Sequence, residues 1–340
     1  MPRLPTPLTL PDDAHDHPTE PAGAHAADTV PAQPSPRALR RRLRGETATA
    51  WAFVSPSVLV ILGLSVVPVA WSLLLSFQAD DLVTPSRWVG LGNYRALVQD
   101  PHFSQAVRNT LLYTALYVPL SIGLGLLLAL VLNQRIRLVG LYRTLIFVPF
   151  VISATAQGVL FSFILDPEFG AANSVLHQLG ISSQGFLTDP AQALLVLVAI
   201  SVWSGTGFCV VVTLAALQDV SPSLIEAARL DGAGRWHLLR HVTLPALTPV
   251  LVFLLLWQTI NALQVFDLVY VTTKGGPLGS TTVIVYFIWE QAFKNFTAGY
   301  GAAAAYALAL VLLVLGVAPR VLRAVRGRAR ANDRLEGAAR

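Results

Sequence analysis

Long apolar runs constrain this chain more than any other feature. A helix needs about 20 predominantly apolar residues to cross the hydrocarbon of a bilayer. Six stretches qualify: Trp51–Phe77, Thr110–Leu132, Thr144–Leu165, Ala191–Leu217, Ala246–Leu268 and Gly301–Val321. In lipid every backbone polar group must be satisfied within the protein, so such runs are expected as helices. Charged residues make up 13% of the chain, against about 25% in a soluble domain. The mean hydropathy is +0.58. The expected fold class is therefore an all-α integral membrane protein with six transmembrane helices. The apolar segment Thr281–Phe293 is short and carries Glu290; it reads as a half-buried helix or re-entrant piece, not a seventh span.

Positive charge sets the expected orientation, because loops rich in Lys and Arg stay in the cytoplasm. With both termini inside, the inner segments hold six such residues in the N-terminal tail and three in 133–143 (Arg135, Arg137, Arg143). A further three lie in 218–244 (Arg229, Arg235, Arg240) and seven from Arg320 onward. That is 19 of the 24 Lys and Arg; Arg87, Arg95, Arg108, Lys274 and Lys294 fall outside. The net charge of +5 is thus accounted for beside the membrane and gives no reason to expect nucleic acid as a partner.

Residues 1–45 are expected as a disordered tail with a basic cluster at Arg37–Arg44, residues 50–322 as the membrane domain, and residues 323–340 as a basic cytoplasmic tail. Pro, Ala, Asp and His dominate the first tail without apolar period. No cleavable signal is expected, because no apolar core closely follows Met1. His15, Asp16, His17 and His25 are metal-capable residue types, but in such a tail they read as solvated, and no metal site is expected. Cys209 is the single cysteine and lies within a span, so no internal disulfide framework exists.

Between the fourth and fifth spans lies a polar island, Glu226-Ala-Ala-Arg-Leu-Asp-Gly-Ala-Gly-Arg-Trp-His-Leu-Leu-Arg-His-Val-Thr-Leu-Pro245. Ser221 is placed to cap a first helix and Pro222 to open it. Gly232 suits the helix end. A second short helix is expected over Arg235 to His241, closed by Thr243-Leu244-Pro245, which also opens the next span with Pro near its helix start. Small Ala227, Ala228 and Ala233 permit close approach of a partner surface, and Glu226 is the free acid. From these residues alone the island is equally a docking element or a connector packed on its own spans.

The island resembles the EAA loop of permease subunits of binding-protein-dependent ABC importers: Glu-Ala-Ala, then Asp231-Gly232-Ala233, then Trp236, then Thr243-Leu244-Pro245. Residues 50–325 are similar to the carbohydrate-uptake branch of that family, which has a MetI-like membrane domain. Phe53-Val-Ser-Pro56, Pro68, Gly90-Leu-Gly-Asn-Tyr94, Asn109-Thr110, Thr273-Lys-Gly-Gly-Pro277, Ser280-Thr281 and Ala292-Phe293 carry the likeness. Leu239 and Gly234 depart from it, where Phe and Ser are usual. The resemblance implies a permease subunit of an ATP-driven importer of a sugar or polyol in the bacterial plasma (inner) membrane, supplying half the pathway. It implies a second permease as hetero-partner, two ABC ATPase subunits, an extracytoplasmic solute-binding protein and the lipid bilayer around them. The coupling residues would be Glu226, Ala227, Ala228, Asp231, Gly232, Ala233, Leu244 and Pro245. ATP and Mg would be bound by the ATPases. A phosphate loop needs Gly-Lys-Ser/Thr, and Lys274 and Lys294 follow Thr273 and Phe293; this chain carries no such loop and is expected to be non-catalytic.

Polar side chains within spans point to bundle interiors or water-filled paths. Trp257, Asn261 and Gln264 share a helix face at i, i+4, i+7, flanked by Gln258. An aromatic face with amides suits a sugar; hydrogen bonding that merely holds the bundle together is the alternative. Gln157, Trp203 and Thr206 are further interior candidates, and Asp267 is expected at the interface. A membrane-embedded enzyme would need paired carboxylates, a His cluster or a reactive thiol at a membrane face. An ion-coupled secondary transporter would favour buried acids and an internal repeat. None of these stands out in the sequence.

Overall fold

The computed structural model describes residues 50–81, 85–134 and 137–317. The N-terminal tail with its basic cluster, Arg135, and the tail beyond Arg320 lie outside these residues. The chain divides into two units, Met1–Gly63 and Leu64–Arg340. The described part of the first, residues 50–63, is helical; the packing below is that of the second.

In chain order the helices are α1 (Ala50–Leu75), α2 (Gly92–Gln99), α3 (Pro101–Leu132), α4 (Val139–Val151), α5 (Ala154–Ile164), α6 (Ala171–Gln178), α7 (Ala193–Gln218) and α8 (Pro222–Leu230). Then α9 runs from Arg235–Leu238 through a π turn, Leu239–Thr243, into Leu244–Leu263. The series ends with α10 (Asp267–Val271), α11 (Ile284–Trp289, with a π turn at Glu290–Lys294) and α12 (Ala298–Val317). Five helical segments are long and apolar enough to cross a membrane, and α4 with α5 makes a sixth if the bent pair counts as one span. The helices thus cover most of the described part of each of the six expected spans, with the third bent. α3 has 32 residues, about 48 Å at 1.5 Å per residue, so it projects beyond a hydrocarbon core of about 30 Å.

The third span departs from the straight helix expected over Thr144–Leu165: α4 and α5 meet at 97°. Ile152 and Ser153 are extended (ψ 131° and 145°), and Ser153 Oγ accepts the Ala156 N–H at 3.3 Å, starting α5 afresh. Pro149 in the last turn of α4 contributes no N–H, which weakens that turn. The carbonyls left over are taken up from beyond the bend: Gln157 Nε2 donates to Pro149 O at 3.0 Å and to Ile152 O at 2.8 Å.

The core is built on α7 packed between α3 and α4. A Cβ on Gly125 of α3 would lie 2.4 Å from Cys209 Cβ, and one on Gly207 would lie 2.6 Å from Ile146 O of α4. Small residues here let the backbones close up, the usual source of helix association in lipid. Tyr113, Tyr117, Leu197, Val198, Ala262, Val269 and Tyr286 form the main buried cluster. A second cluster joins α2, α3, α11 and α12 through Leu97, Ala106, Phe287, Ala303 and Ala304.

The loop landmarks prove to be hydrogen-bonded fixtures. Asn93 Nδ2 donates to Ser76 O (2.9 Å) and Gln78 O (2.8 Å), closing the first loop, where Gln78–Ala79 and Arg87–Trp88 form a two-residue antiparallel ladder. Asn109 Nδ2 donates to Gly279 O (2.9 Å) and Thr282 O (3.0 Å), and Ile284 N–H donates to Thr110 Oγ1 (2.8 Å). Span two thereby holds the Lys274-Gly-Gly-Pro277 loop and the half-buried α11. Glu290, isolated in sequence, accepts from Lys294 at 2.6 Å.

Candidate functional site

The polar island folds as a short helix on a tight hinge. Pro222 opens α8, but Ser221 makes no capping bond with its side chain; its Oγ pairs with Ser223 Oγ at 2.7 Å instead. The end of α8 is closed by two backbone bonds, Ala233 N–H to Ala228 O (2.9 Å) and Gly232 N–H to Arg229 O (3.0 Å). These are the two bonds of a Schellman motif, whose C′ residue must be left-handed. Gly232 occupies that position with φ +83°.

Thr243-Leu244-Pro245 opens the span's helix as expected, with Pro245 in its first turn, but the second helix does not stop before it. It continues as α9, because the π turn at Leu239–Thr243 absorbs Pro245: Leu244 N–H reaches Leu239 O, five residues back. A wider turn removes the carbonyl clash that proline makes in an α-helix. The hinge at Gly232 therefore connects α8 directly to a rod leading into the membrane span.

The exposed face of α8 is partly apolar. Leu224 is 58% exposed, Leu230 89%, and Trp236 beyond the hinge 71%. Glu226, Ala227 and Asp231 are exposed, Ala228, Ala233 and Leu244 are half-buried, and Pro245 is exposed. So the two alanines divide: Ala227 faces outward, while Ala228 supplies the carbonyl of the hinge.

The four residues singled out on span five line one cavity of about 380 Å³. Trp257 is 45% exposed and stands 5.8 Å from the Phe208 ring. Asn261 and Gln264 are exposed toward the cavity, and Asn261 Nδ2 donates to Trp257 O at 2.8 Å. Gln258 is 3% exposed; its Nε2 donates to Ser121 Oγ (3.3 Å) and Cys209 Sγ (3.2 Å), tying α9 to α3 and α7. It thus serves as bundle glue as well as wall. Gln157 also lines the cavity, whereas Trp203 and Thr206 do not. Trp203 packs edge-on against Phe161, and Thr206 Oγ1 bonds back to Val202 O at 2.6 Å.

Asp267, expected at the interface, also lines the cavity. The helix of span five ends at Leu263, and α10 restarts at Asp267 after an irregular Gln264–Phe266. Asp267 itself is exposed, and neither Gly nor Pro marks the break in the sequence. Among the described residues no group of three or more His, Cys, Asp or Glu is arranged to hold a metal.

Residues 121–327 match the family described as binding-protein-dependent transport system inner membrane component. The chain is 36% identical over 271 residues to the lactose transport system permease protein LacF of Rhizobium radiobacter, covering 78% of this chain and 90% of that one. It is 33% identical to the probable ABC transporter permease protein YesP of Bacillus subtilis, covering 83% and 91%. It is 32% identical to the trehalose/maltose transport system permease protein MalF of Thermococcus litoralis, covering 79% and 91%. Among solved structures, a chain of a bacterial ABC transporter that imports the acidic polysaccharide alginate superposes with TM-score 0.74 at 26% identity, over 84% of this chain and 99% of that one. With its broken third span, its hinged loop and its matched residues, the chain belongs to the family of inner-membrane components of binding-protein-dependent ABC transport systems.

Proposed function

We propose that the chain is the permease subunit of an ATP-driven saccharide importer and forms half of its translocation pathway. The observation that carries this is the pairing of two features in one chain of this family. One is a glycine-hinged helix with an exposed apolar and acidic face; the other is an aromatic, amide-lined cavity reached by the same rod, α9. Relatives named for lactose and for trehalose/maltose support a saccharide cargo.

In this reading residues 50–322 are the membrane domain and 218–245 the coupling loop, with both termini in the cytoplasm. A separate ABC ATPase receives α8. Leu224, Ala227 and Leu230 enter its groove, Glu226 makes the polar contact, and Gly232 lets the docked helix pull on α9. Closing of the two ATPases is transmitted to the spans as a shift between two packed arrangements. The chain itself holds no cofactor; ATP and Mg belong to the ATPases. A second permease completes the pathway as a hetero-pair, and an extracytoplasmic binding protein delivers cargo.

Affinity-tagged chain extracted from its native membrane should bring down an ABC ATPase and a second permease. Proteoliposomes of that complex with the binding protein should accumulate saccharide only when ATP is inside. Accumulation driven by an ion gradient without ATP would instead mark a secondary transporter and overturn the reading.

A further inference from the structure

The cavity's own chemistry narrows the cargo. Its lining contains no Lys, Arg or His, and its one carboxylate is that of Asp267. The amides around it have forced orientations, since a primary amide offers N–H donors at one end and a carbonyl acceptor at the other. Gln157 turns Nε2 toward two backbone carbonyls, so its Oε1 is the free end. Asn261 turns Nδ2 toward Trp257 O, which leaves Oδ1 as its free end. Gln157 Oε1, Asn261 Oδ1 and the Asp267 carboxylate are thus acceptors among the residues that line the cavity with Trp257.

We propose that this cavity admits saccharides without acidic groups and rejects acidic ones; the inference rests on the saccharide reading above. Saccharide hydroxyls can donate to these acceptors and accept from the Tyr113, Tyr117, Ser201 and Ser204 hydroxyls that also line the cavity. A uronate or sulfonate would bring further acceptors and a negative charge to a wall that offers no cation. A desolvated charge without a partner is costly, and placing it near Asp267 adds repulsion. Relatives of this chain are named for both neutral and acidic cargo, so the family leaves the question to the lining. The volume of about 380 Å³ falls in the roughly 300–1,000 Å³ range of small-ligand sites.

The test uses the complete transporter, with binding protein, in proteoliposomes containing ATP. Probes are neutral mono- to trisaccharides (among them lactose, maltose and trehalose) and uronates (glucuronate and digalacturonate). Wild type should accumulate at least one neutral probe and take up uronates about tenfold less or worse, the scale of discrimination by a polar site. Asp267→Lys should move the uronate-to-neutral uptake ratio toward uronate by about tenfold, although the binding protein is unchanged. If that variant fails to retain the ATPase on purification, Asp267→Asn should move the ratio in the same direction. Preferred uptake of uronate by wild type, or an unchanged ratio in the assembled variants, would overturn the inference while leaving the saccharide reading intact. Uptake of no saccharide probe at all would remove both.

Discussion

At the scale of single residues, glycines separate what is conformational from what is steric. Gly232 has open space around it and a left-handed φ of +83°. Gly232→Val is expected to cost about 1–2 kcal/mol locally and to unhinge α8 from α9. Copurification of the ATPase should fall while membrane insertion survives, measured as the ATPase-to-permease ratio after affinity purification. Gly125 is the opposite case, with a normal φ and a Cβ that would collide with Cys209. Gly125→Val should destabilise by about 1–3 kcal/mol, as overpacking does, and lower the detergent thermal-inactivation midpoint. Gly123→Ala, with nothing within 4 Å and inside the same helix, should not lower the midpoint and should raise it slightly, since Ala is the better helix former. Gly232 was readable in the sequence because a helix-ending glycine has a local cause. Gly125 was not, because its cause is a neighbour 84 positions away in the chain. The unmade Ser221 cap fails for a local reason that patterns miss: Ser223 competes for its hydroxyl.

At the scale of elements, the bend between α4 and α5 is the largest departure from what periodicity predicts. Hydropathy reads Thr144–Leu165 as one run, since Ile152 and Ser153 interrupt neither its apolarity nor its length. The stabilising bond comes from Gln157, whose side chain reaches back over the break. Gln157→Leu should strand two carbonyls at a buried site, at about 1–3 kcal/mol each. The expected result is a lower uptake rate with ATPase binding retained, read by comparing transport with copurification. Unaltered uptake would mean that the bend is held by packing alone. The outer loop was legible as a turn from its glycines and proline. Its attachment to Asn109 and Thr110 was not, because those bonds join residues 170 and more apart. Asn109→Ala should loosen that loop, and limited proteolysis near Leu278 should then accelerate; an unchanged cleavage rate would show that the threonine bonds suffice.

At the scale of the whole molecule, the proposed function makes the chain a lever between two surfaces. Outside the membrane-spanning bundle, α8 offers an exposed helix face. Inside it, α9 carries Trp257, Gln258 and Asn261 to the cavity, with Gln264 just past its end, and a π turn joins the loop to the span in one rod. The spans, the hinge and the cavity face were legible because each follows from a local period or a local backbone need. The place of Asp267 in the cavity lining depends on where α9 stops, which no residue type announces. The central claim is that α8 seats in an ATPase and drives this lever. Cys209 is the single cysteine and is buried, so Ala227→Cys supplies one accessible thiol on the exposed face. A short photoactivatable crosslinker on that thiol, in the assembled transporter in native membrane, should yield one dominant adduct with the ABC ATPase subunit, and its yield should change when ATP is added. Adducts confined to lipid or to this chain itself, with ATP-driven uptake still intact, would contradict the account.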